Sequence, residues 1–336
     1  MSQKKRIMSG MRPTGKLHIG HYLGVLKNWV DLQSEYDCYF AVADWHALTT
    51  KYDQTSELRQ NVLDVVLDWL ACGIDPETSH IYVQSLVPQT AELHIYLSMI
   101  TPQNWVERDP TLKDMVKAMR GDDIDKNVEI SYGLLGYPVL QSADIMTFNA
   151  DLVPVGIDQV AHIEMTRDVA RRFNHIYKTN FFKEAHPKLT QIPMLKGIDG
   201  QKMGKSFNND IKISDDETTT TKKIMKGITD ANRIKRDDPG NVDNCEVIYP
   251  YYQIFADEAT CAAVKSECEG ATRGCADCKR QLAEAINEYF RPIRAKRQEL
   301  EQNIDYVHQI IKEGSKRASD EAQVTIETVR KLVKMY

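Results

Sequence analysis

Short apolar runs alternate with longer helical stretches through the first half of the chain, and this alternation constrains the fold more than any other feature. Four of the runs are predicted as strands, namely Arg6–Met11, Cys38–Ala43, His80–Gln84 and Leu152–Val155. Helical patterns such as His18–Ser34 connect them, so successive strands run in the same direction. The sequence therefore predicts an α/β fold, with a doubly wound parallel sheet covered by helices on both faces.

The strand signal stops near Ile211, and the sequence that follows combines helical periodicity with polar loops. We therefore predict a Rossmann-like catalytic domain over residues 1–210 and an all-α domain over residues 211–336. In the second domain Ile304, Val307 and Ile311 share one helical face, and Gly314 is predicted to end that helix as a C-cap.

The charge balance is slightly acidic, because 43 Lys and Arg stand against 48 Asp and Glu in 336 residues, a formal net charge of −5. This excludes a uniformly basic surface but allows a local basic face for nucleic acid. No apolar run is long enough to span a membrane, and no secretory signal is visible at the start. We expect a cytoplasmic protein whose thiols stay reduced.

The first strand leads into a turn and a helix that carry two histidines. Pro13-Thr14-Gly15 breaks the chain after the strand, at the edge of the sheet where ligands bind in doubly wound folds. His18 and His21 share one face of the first helical turn and can donate hydrogen bonds to phosphate oxygens. Gly20 leaves room for a base or a ribose, so the segment predicts a nucleotide site rather than an ordinary amphipathic helix.

A second basic segment, Lys202-Met203-Gly204-Lys205-Ser206, follows Gly197 and Gly200 at the end of the predicted catalytic half. Two lysines three positions apart in a glycine-rich loop form a flexible cation clamp that suits a polyphosphate. A solvated basic loop is the alternative for such a segment taken alone.

Asp144 lies in an otherwise apolar helix, so its carboxylate requires a partner when buried. It either pairs within the fold or accepts a hydrogen bond from a substrate donor. A site built around the second contact rejects analogues that lack the donor.

Together these segments resemble a known enzyme family. His18-Ile19-Gly20-His21 resembles the HIGH signature of class I aminoacyl-tRNA synthetases, and residues 202–206 resemble their KMSKS signature, with Gly204 in place of the usual serine. Residues 133–145 and 153–168 resemble the tryptophanyl members of the class, which also share residues 8–15 and 42–49. Ile157 replaces a glutamate that is common in the family.

The resemblance implies that ATP and Mg²⁺ activate L-tryptophan to tryptophanyl-adenylate, which is transferred to tRNA(Trp) by a homodimer. It implies that His18, His21, Lys202 and Lys205 are catalytic. The implied ATP-binding residues are Arg12, Pro13, Thr14, Gly20, His21, Gly156, Ile157, Asp158, Ile192, Lys202, Met203, Gly204, Lys205 and Ser206. The implied tryptophan-binding residues are Met8, Gly10, His46, Tyr137, Gln141, Asp144, Val155 and Gln159, with Asp144 as the acceptor of the indole N–H.

Four cysteines of the predicted helical domain, Cys245, Cys268, Cys275 and Cys278, can supply thiolates to one metal centre. The residue types fit zinc or an iron–sulfur cluster, and free buried cysteines are the alternative. The C-x22-C-x6-C-x2-C spacing resembles the [4Fe-4S] motif of a subset of tryptophanyl-tRNA synthetases. Cys261, Cys38 and Cys72 are predicted as core residues.

Basic residues accompany these cysteines and are candidate phosphate contacts for the anticodon end of a tRNA, although each charge run alone is usually a solvated face. They are Lys222, Lys223, Lys226, Arg233, Lys235, Arg236, Lys279 and Arg280.

Three other functions remain open at the level of sequence. A tyrosyl-tRNA synthetase-like ligase shares the scaffold but must bind a phenol hydroxyl. A cofactor-forming adenylyltransferase explains the histidine motif but not the lysine loop. A non-catalytic RNA-binding paralogue would not need intact histidines and lysines.

Overall fold

The computed structural model describes residues 4–120, 129–189 and 195–336. Its strands are β1 (Arg6–Met11), β2 (Asp37–Val42), β3 (Ser79–Val83), β4 (Leu152–Val155) and β5 (His186–Leu189). The first four coincide with the predicted strands or are offset from them by a single position. The fifth was not predicted.

The strands form one parallel sheet in the order β3-β2-β1-β4-β5. Ile7, Phe40 and Ile81, from the three strands at one side of the sheet, are buried, as expected for parallel strands covered on both faces. β5 lies at the opposite edge and contains Pro187, which has no N–H and is tolerated at an edge. The predicted α/β fold with a parallel sheet is confirmed.

Nine helices are described before β5: α1 (Ile19–His21), α2 (Lys27–Leu32), α3 (Asp44–Lys51), α4 (Leu58–Ala71), α5 (Gln89–Ile100), α6 (Gln103–Glu107), α7 (Pro110–Arg120), α8 (Tyr132–Thr147) and α9 (Val160–Ile176). A π-helical segment, Tyr22–Leu26, joins α1 to α2 within the predicted helix His18–Ser34. α8 begins after Ser131, whose hydroxyl caps the helix by accepting from the Leu134 N–H at 3.1 Å, and it continues through Pro138.

From Ile211 onward the described chain adds no strand to the sheet, as predicted. Its helices are α10 (Glu217–Lys226), α11 (Ile248–Phe255), α12 (Glu258–Glu269), α13 (Cys275–Gln302) and α14 (Ile304–Val333). Asp216 and Asp257 cap α10 and α12 by accepting the backbone N–H of the third residue of each helix.

The described chain divides into two compact units. The first unit contains residues 4–15, 28–120, 129–189 and Asn303–Tyr336, and the second contains Lys16–Lys27 and residues 195–302. This division differs from the predicted boundary near residue 210, because α14 packs in the first unit and the histidine motif in the second. A composition shift marks where strands cease, and it does not show which unit a later helix joins.

α14 belongs to the first unit because it packs against β3 at the edge of the sheet. A Cβ on Gly314 would lie 2.0 Å from the carbonyl oxygen of Ile81, so only glycine allows this approach. Ser315 Oγ accepts the Val83 N–H at 3.1 Å. The predicted C-cap at Gly314 is wrong, because the glycine serves helix-to-strand packing in the interior of a helix.

None of the helices in the described ranges combines the length and the apolar character that crossing a membrane requires.

Candidate active site

The histidine motif forms α1 together with the residue that precedes it. The ring centroids of His18 and His21 are 3.7 Å apart. The backbone N–H of His18 donates to Nδ1 of His21 at 3.3 Å, which leaves Nε2 of His21 as the protonated ring nitrogen. Before the motif, Gly15 has a φ of +109°, a conformation that favours glycine and makes the turn after β1.

Burial keeps both imidazoles neutral. It lowers the pKa of His18 to about 4, with Lys205 acting in the same direction and Asp210 opposing it. Burial also lowers the pKa of His21 well below its usual value. At neutral pH each ring carries one N–H, and Nδ1 of His18 has no hydrogen-bond partner among the described residues.

The lysine loop lies beside the histidine motif within the second unit. The Ile19 N–H donates to the Ile211 carbonyl at 2.9 Å, which ties the start of α1 to the chain that follows the loop. A Cβ on Gly20 would lie 3.5 Å from Sδ of Met203, so Met203 packs over Gly20. Lys205 acts electrostatically on both histidines, whereas the Lys202 side chain is exposed.

Asn209 organises the lysine loop and was not predicted. Its Oδ1 accepts the Gly204 N–H at 2.9 Å, while its Nδ2 donates to the Lys202 carbonyl at 3.1 Å and to Asp199 at 2.8 Å. Gly197 makes room for this amide, since a Cβ there would lie 2.4 Å from it. Gly204 has a φ of −166°, an extended conformation that any residue adopts, so the backbone at this position does not require glycine.

In the first unit, Asp144 is 3% exposed and hydrogen-bonded by two side chains. Nε2 of His46 lies 3.0 Å from one carboxylate oxygen. Nε2 of Gln84 lies 2.8 Å and 2.9 Å from the two oxygens. The structure thus brings the predicted pair His46 and Asp144 together and adds Gln84, whose sequence signal was its place at the carboxyl end of a parallel strand.

His162 connects two other predicted pocket residues. Its Nδ1 lies 2.9 Å from Oε1 of Gln141, and its Nε2 lies 3.1 Å from the Tyr137 hydroxyl and 3.3 Å from Asp109. Because Oε1 only accepts, Nδ1 carries a proton. His162 and Asp109 are buried and were not predicted, since one histidine on an amphipathic helix does not reveal its partners.

The remaining predicted tryptophan residues lie on or beside β1 and β4, which pair in the sheet. Met8 is buried, and a Cβ on Gly10 would lie 3.1 Å from the Ala41 carbonyl oxygen. Val155 and Gln159 are half-buried at and after the end of β4.

The predicted ATP residues of the first unit lie after β1 and β4. Pro13 is buried, Thr14 is half-buried and Arg12 is exposed. After β4, Gly156 precedes the turn Ile157–Gln159, in which the Ile157 side chain is exposed. Ile192 and the side chains of Asp158 and Ser206 lie outside the described residues.

The four predicted cysteine ligands line one small cavity in the second unit, together with Arg233 and Arg273. The backbone N–H groups of Ile248 and Tyr249 donate to the Cys245 sulfur. Nη1 of Arg233 lies 3.8 Å from the Cys268 sulfur. Among the described residues, however, no group of three or more His, Cys, Asp and Glu is arranged as ligands of a metal ion.

Burial raises the pKa of the Cys245 and Cys268 thiols, and it raises the pKa of Cys278 to about 11. Cys261 lies away from the cavity, and it is only half-buried on α12, so its prediction as a core residue is wrong. Cys38 and Cys72 are buried as predicted.

The family model for class I tRNA synthetases (W and Y) matches residues 2–291 of the chain. A tryptophan–tRNA ligase of Thermotoga maritima is 45% identical over 332 residues, which cover 98% of this chain and 99% of the relative. A tryptophan–tRNA ligase of Aquifex aeolicus is 39% identical and covers 98% of this chain and 100% of the relative.

Solved structures agree with these relatives. The crystal structure of tryptophanyl-tRNA synthetase from Campylobacter jejuni, complexed with ADP and tryptophan, has a TM-score of 0.88 and 33% identity. The similarity covers 98% of this chain and 100% of that chain.

Proposed function

Because the chain belongs to the class I tRNA synthetases for tryptophan and tyrosine, we propose roles for its residues in the reaction of a tryptophan–tRNA ligase. The chain activates L-tryptophan with ATP and charges tRNA(Trp). A carboxylate oxygen of tryptophan attacks the α-phosphorus of ATP, and pyrophosphate leaves. A terminal hydroxyl of the tRNA then attacks the carbonyl carbon, and AMP leaves. Mg²⁺ bound to the phosphates neutralises part of their charge.

The reaction needs no nucleophilic side chain, so positioning and charge stabilisation carry it. We assign His18 and His21 as neutral donors to phosphate oxygens, and Lys202 and Lys205 as cations for the leaving pyrophosphate. The support is the neutral state of the imidazoles and the position of Lys205 beside them. The turns Arg12–Thr14 and Gly156–Asp158 are assigned to ATP.

Selection of tryptophan rests on one observation, the buried Asp144 carboxylate that His46 and Gln84 hold in place. We assign it to the indole N–H, with Met8, Gly10, Tyr137, Gln141, Val155 and Gln159 lining the rest of the pocket. A phenol offers no donor at the position of the indole nitrogen, which disfavours tyrosine.

Exchange of labelled pyrophosphate into ATP tests the assignment. L-tryptophan should support exchange and L-tyrosine should not. Equal exchange with tyrosine would indicate a tyrosyl-like ligase. Exchange with neither amino acid would favour a cofactor-forming adenylyltransferase or a non-catalytic RNA-binding protein.

For the four cysteines we propose a [4Fe-4S] cluster, with zinc as the alternative. The support is that all four line one cavity, where backbone N–H groups and two arginines face the sulfurs and can stabilise an anionic cluster. When bound, the cluster would join the loop before α11 to α12 and α13.

Iron and acid-labile sulfide, measured on anaerobically purified protein, distinguish the two metals. Cys275→Ser should abolish the brown colour and the bound iron. Cys261→Ser, a matched change outside the cavity, should keep both. Colourless wild-type protein with one equivalent of zinc would contradict the cluster.

We propose that the second unit binds the anticodon end of tRNA(Trp). Lys222, Lys226, Lys235 and Arg236 are exposed, whereas Lys223 is paired with Asp215 at 2.7 Å. Exposed cations bind phosphates and release counterions. Lys235→Ala with Arg236→Ala should weaken tRNA binding and lower its salt dependence, and an unchanged salt dependence would remove these residues from the interface.

We propose that the chain forms a homodimer through α5 and the start of α8. Ile95, Met99 and Tyr132 are exposed there although their side chains are apolar or aromatic. Met99→Asp should convert a dimer into a monomer in light scattering, and a monomeric wild type would contradict the proposal.

A cytoplasmic location is inferred from the tRNA substrate.

A further inference from the structure

Gln84 follows β3 and links the start of α3 to the buried carboxylate of Asp144. It is 0% exposed and opens the short turn Gln84–Leu86 that follows β3. Its Oε1 accepts the backbone N–H groups of Trp45 and His46 at 3.1 and 3.4 Å, at the start of α3. Its Nε2 donates to both oxygens of Asp144 at 2.8 and 2.9 Å, on α8.

We propose that Gln84 is a positioning residue for tryptophan selection, because its amide holds the Asp144 carboxylate in the one orientation that accepts the indole N–H. The inference rests on the role proposed for Asp144. Gln84 itself would not touch the substrate, and its effect would pass through Asp144 and His46.

The amide of Gln84 is oriented by its two sets of partners. Backbone N–H groups can only donate, so they fix the oxygen of the amide towards α3 and its nitrogen towards Asp144. His46 and Gln84 are the two described residues that hydrogen-bond the carboxylate. Burial and the charge of Asp144 raise the pKa of Tyr82, and the Tyr82 hydroxyl has no hydrogen-bond partner among the described residues.

Gln84→Glu removes the amide donor and places a second carboxyl group beside Asp144. Glutamate keeps the size of the side chain and an oxygen that accepts from Trp45 and His46, but it turns an oxygen towards Asp144. The readout is the ratio of kcat/KM for L-tryptophan to that for 3-benzothienyl-L-alanine, in which sulfur replaces the indole N–H. We expect the tryptophan value to fall about 100-fold and the analogue value by less than about threefold.

Gln33→Glu is the matched control. Gln33 is also buried, and it also accepts a backbone N–H, that of Asp75 at 2.7 Å, and donates to the Gly73 carbonyl at 3.0 Å. It lies near the start of β3, the end opposite Gln84. The change should lower stability and leave the selectivity ratio as in wild type.

Equal losses of kcat/KM for L-tryptophan and the analogue in Gln84→Glu would make Gln84 a structural residue and overturn the inference. A wild type that uses both amino acids equally would instead overturn the proposed role of Asp144.

A double variant keeps the inference testable if Gln84→Glu does not fold. Gln84→Glu with Asp144→Asn exchanges donor and acceptor, because the asparagine amide can donate to the glutamate. It should unfold at a higher temperature than either single variant and recover at least a tenfold preference for tryptophan. Additive losses of stability would contradict a direct contact between the two side chains.

Discussion

Burial sets the chemistry of the two motif histidines. A protonated imidazole would bind phosphate strongly in every state, whereas a neutral one can donate one hydrogen bond that strengthens as charge develops. The low pKa of His18 and His21 therefore makes them insensitive to pH over the physiological range. Of the four residues assigned to charge stabilisation, Lys202 and Lys205 are then the cations.

His18→Asn should flatten the pH dependence of stability on the acid side. The pKa of His18 is about 4 in the folded state. In the unfolded state it is about 6.5, so between these values only the unfolded chain binds the proton and wild-type stability falls as pH decreases. The free energy of unfolding falls by up to about 1.4 kcal/mol per pH unit for one such group. Urea unfolding between pH 7 and pH 5 measures it.

His308→Asn, an exposed site on α14, is the control for this experiment and should leave the wild-type slope. Burial also lowers the pKa of His21, so His18→Asn should retain part of the slope of stability against pH. A slope identical to wild type in His18→Asn would mean that His18 is accessible to protons in the folded protein.

α14 protects an edge of the sheet. β3 lies at one end of the strand order, and an open edge offers unpaired backbone groups to other chains. Ser315 Oγ accepts the Val83 N–H, and Gly314 allows α14 to approach β3 closely enough for that hydrogen bond. Further along the helix, Arg330 pairs with Glu92 of α5.

Gly314→Ala should therefore destabilise the first unit, because its Cβ would overlap the Ile81 carbonyl oxygen. Overpacking of this kind costs about 1–3 kcal/mol or more. Gly133→Ala is the matched control, since its Cβ would meet nothing closer than 3.9 Å. That helical position should gain about 0.5–1 kcal/mol. Thermal unfolding measures the change in Tm of each variant relative to wild type. Equal changes in Tm would show that α14 moves away from β3 without loss of stability.

The elements that the sequence predicted well were those with a local signal. β1 to β4 each contain a short apolar run, and the histidine and lysine motifs are contiguous segments. β5 was missed because an edge strand needs no apolar run. Gln84 and His162 were missed because their roles depend on partners distant in sequence, such as Asp144, 60 positions from Gln84. Asn209 was missed although its partners are near in sequence, because an asparagine in a polar loop does not show which backbone groups it binds.

At the scale of the molecule, the first unit is assembled from three separated stretches of chain. Ala318, Ala322, Ile326 and Val329 of α14 are buried in cores that also contain residues of the sheet and of α5, α8 and α9. The net charge of −5 is an average over both units and does not describe the exposed cations of the second.

Removal of residues 303–336 should abolish tryptophan binding, because it exposes β3 and opens both cores. Circular dichroism and tryptophan-dependent pyrophosphate exchange measure the loss. Removal of residues 334–336, which follow the end of α14, is the control and should change neither. A shortened chain that still activates tryptophan would show that the sheet closes without α14.

The position of α14 also has a consequence during synthesis of the chain. The other helices and all strands of the first unit leave the ribosome before α14, and residues 195–302 of the second unit follow them before α14 is made. Until α14 has been synthesised, the β3 edge of the nascent sheet is exposed. A polypeptide released early at any codon before α14 would therefore fail to complete the pocket, so that translation errors of this kind do not yield a partly active synthetase.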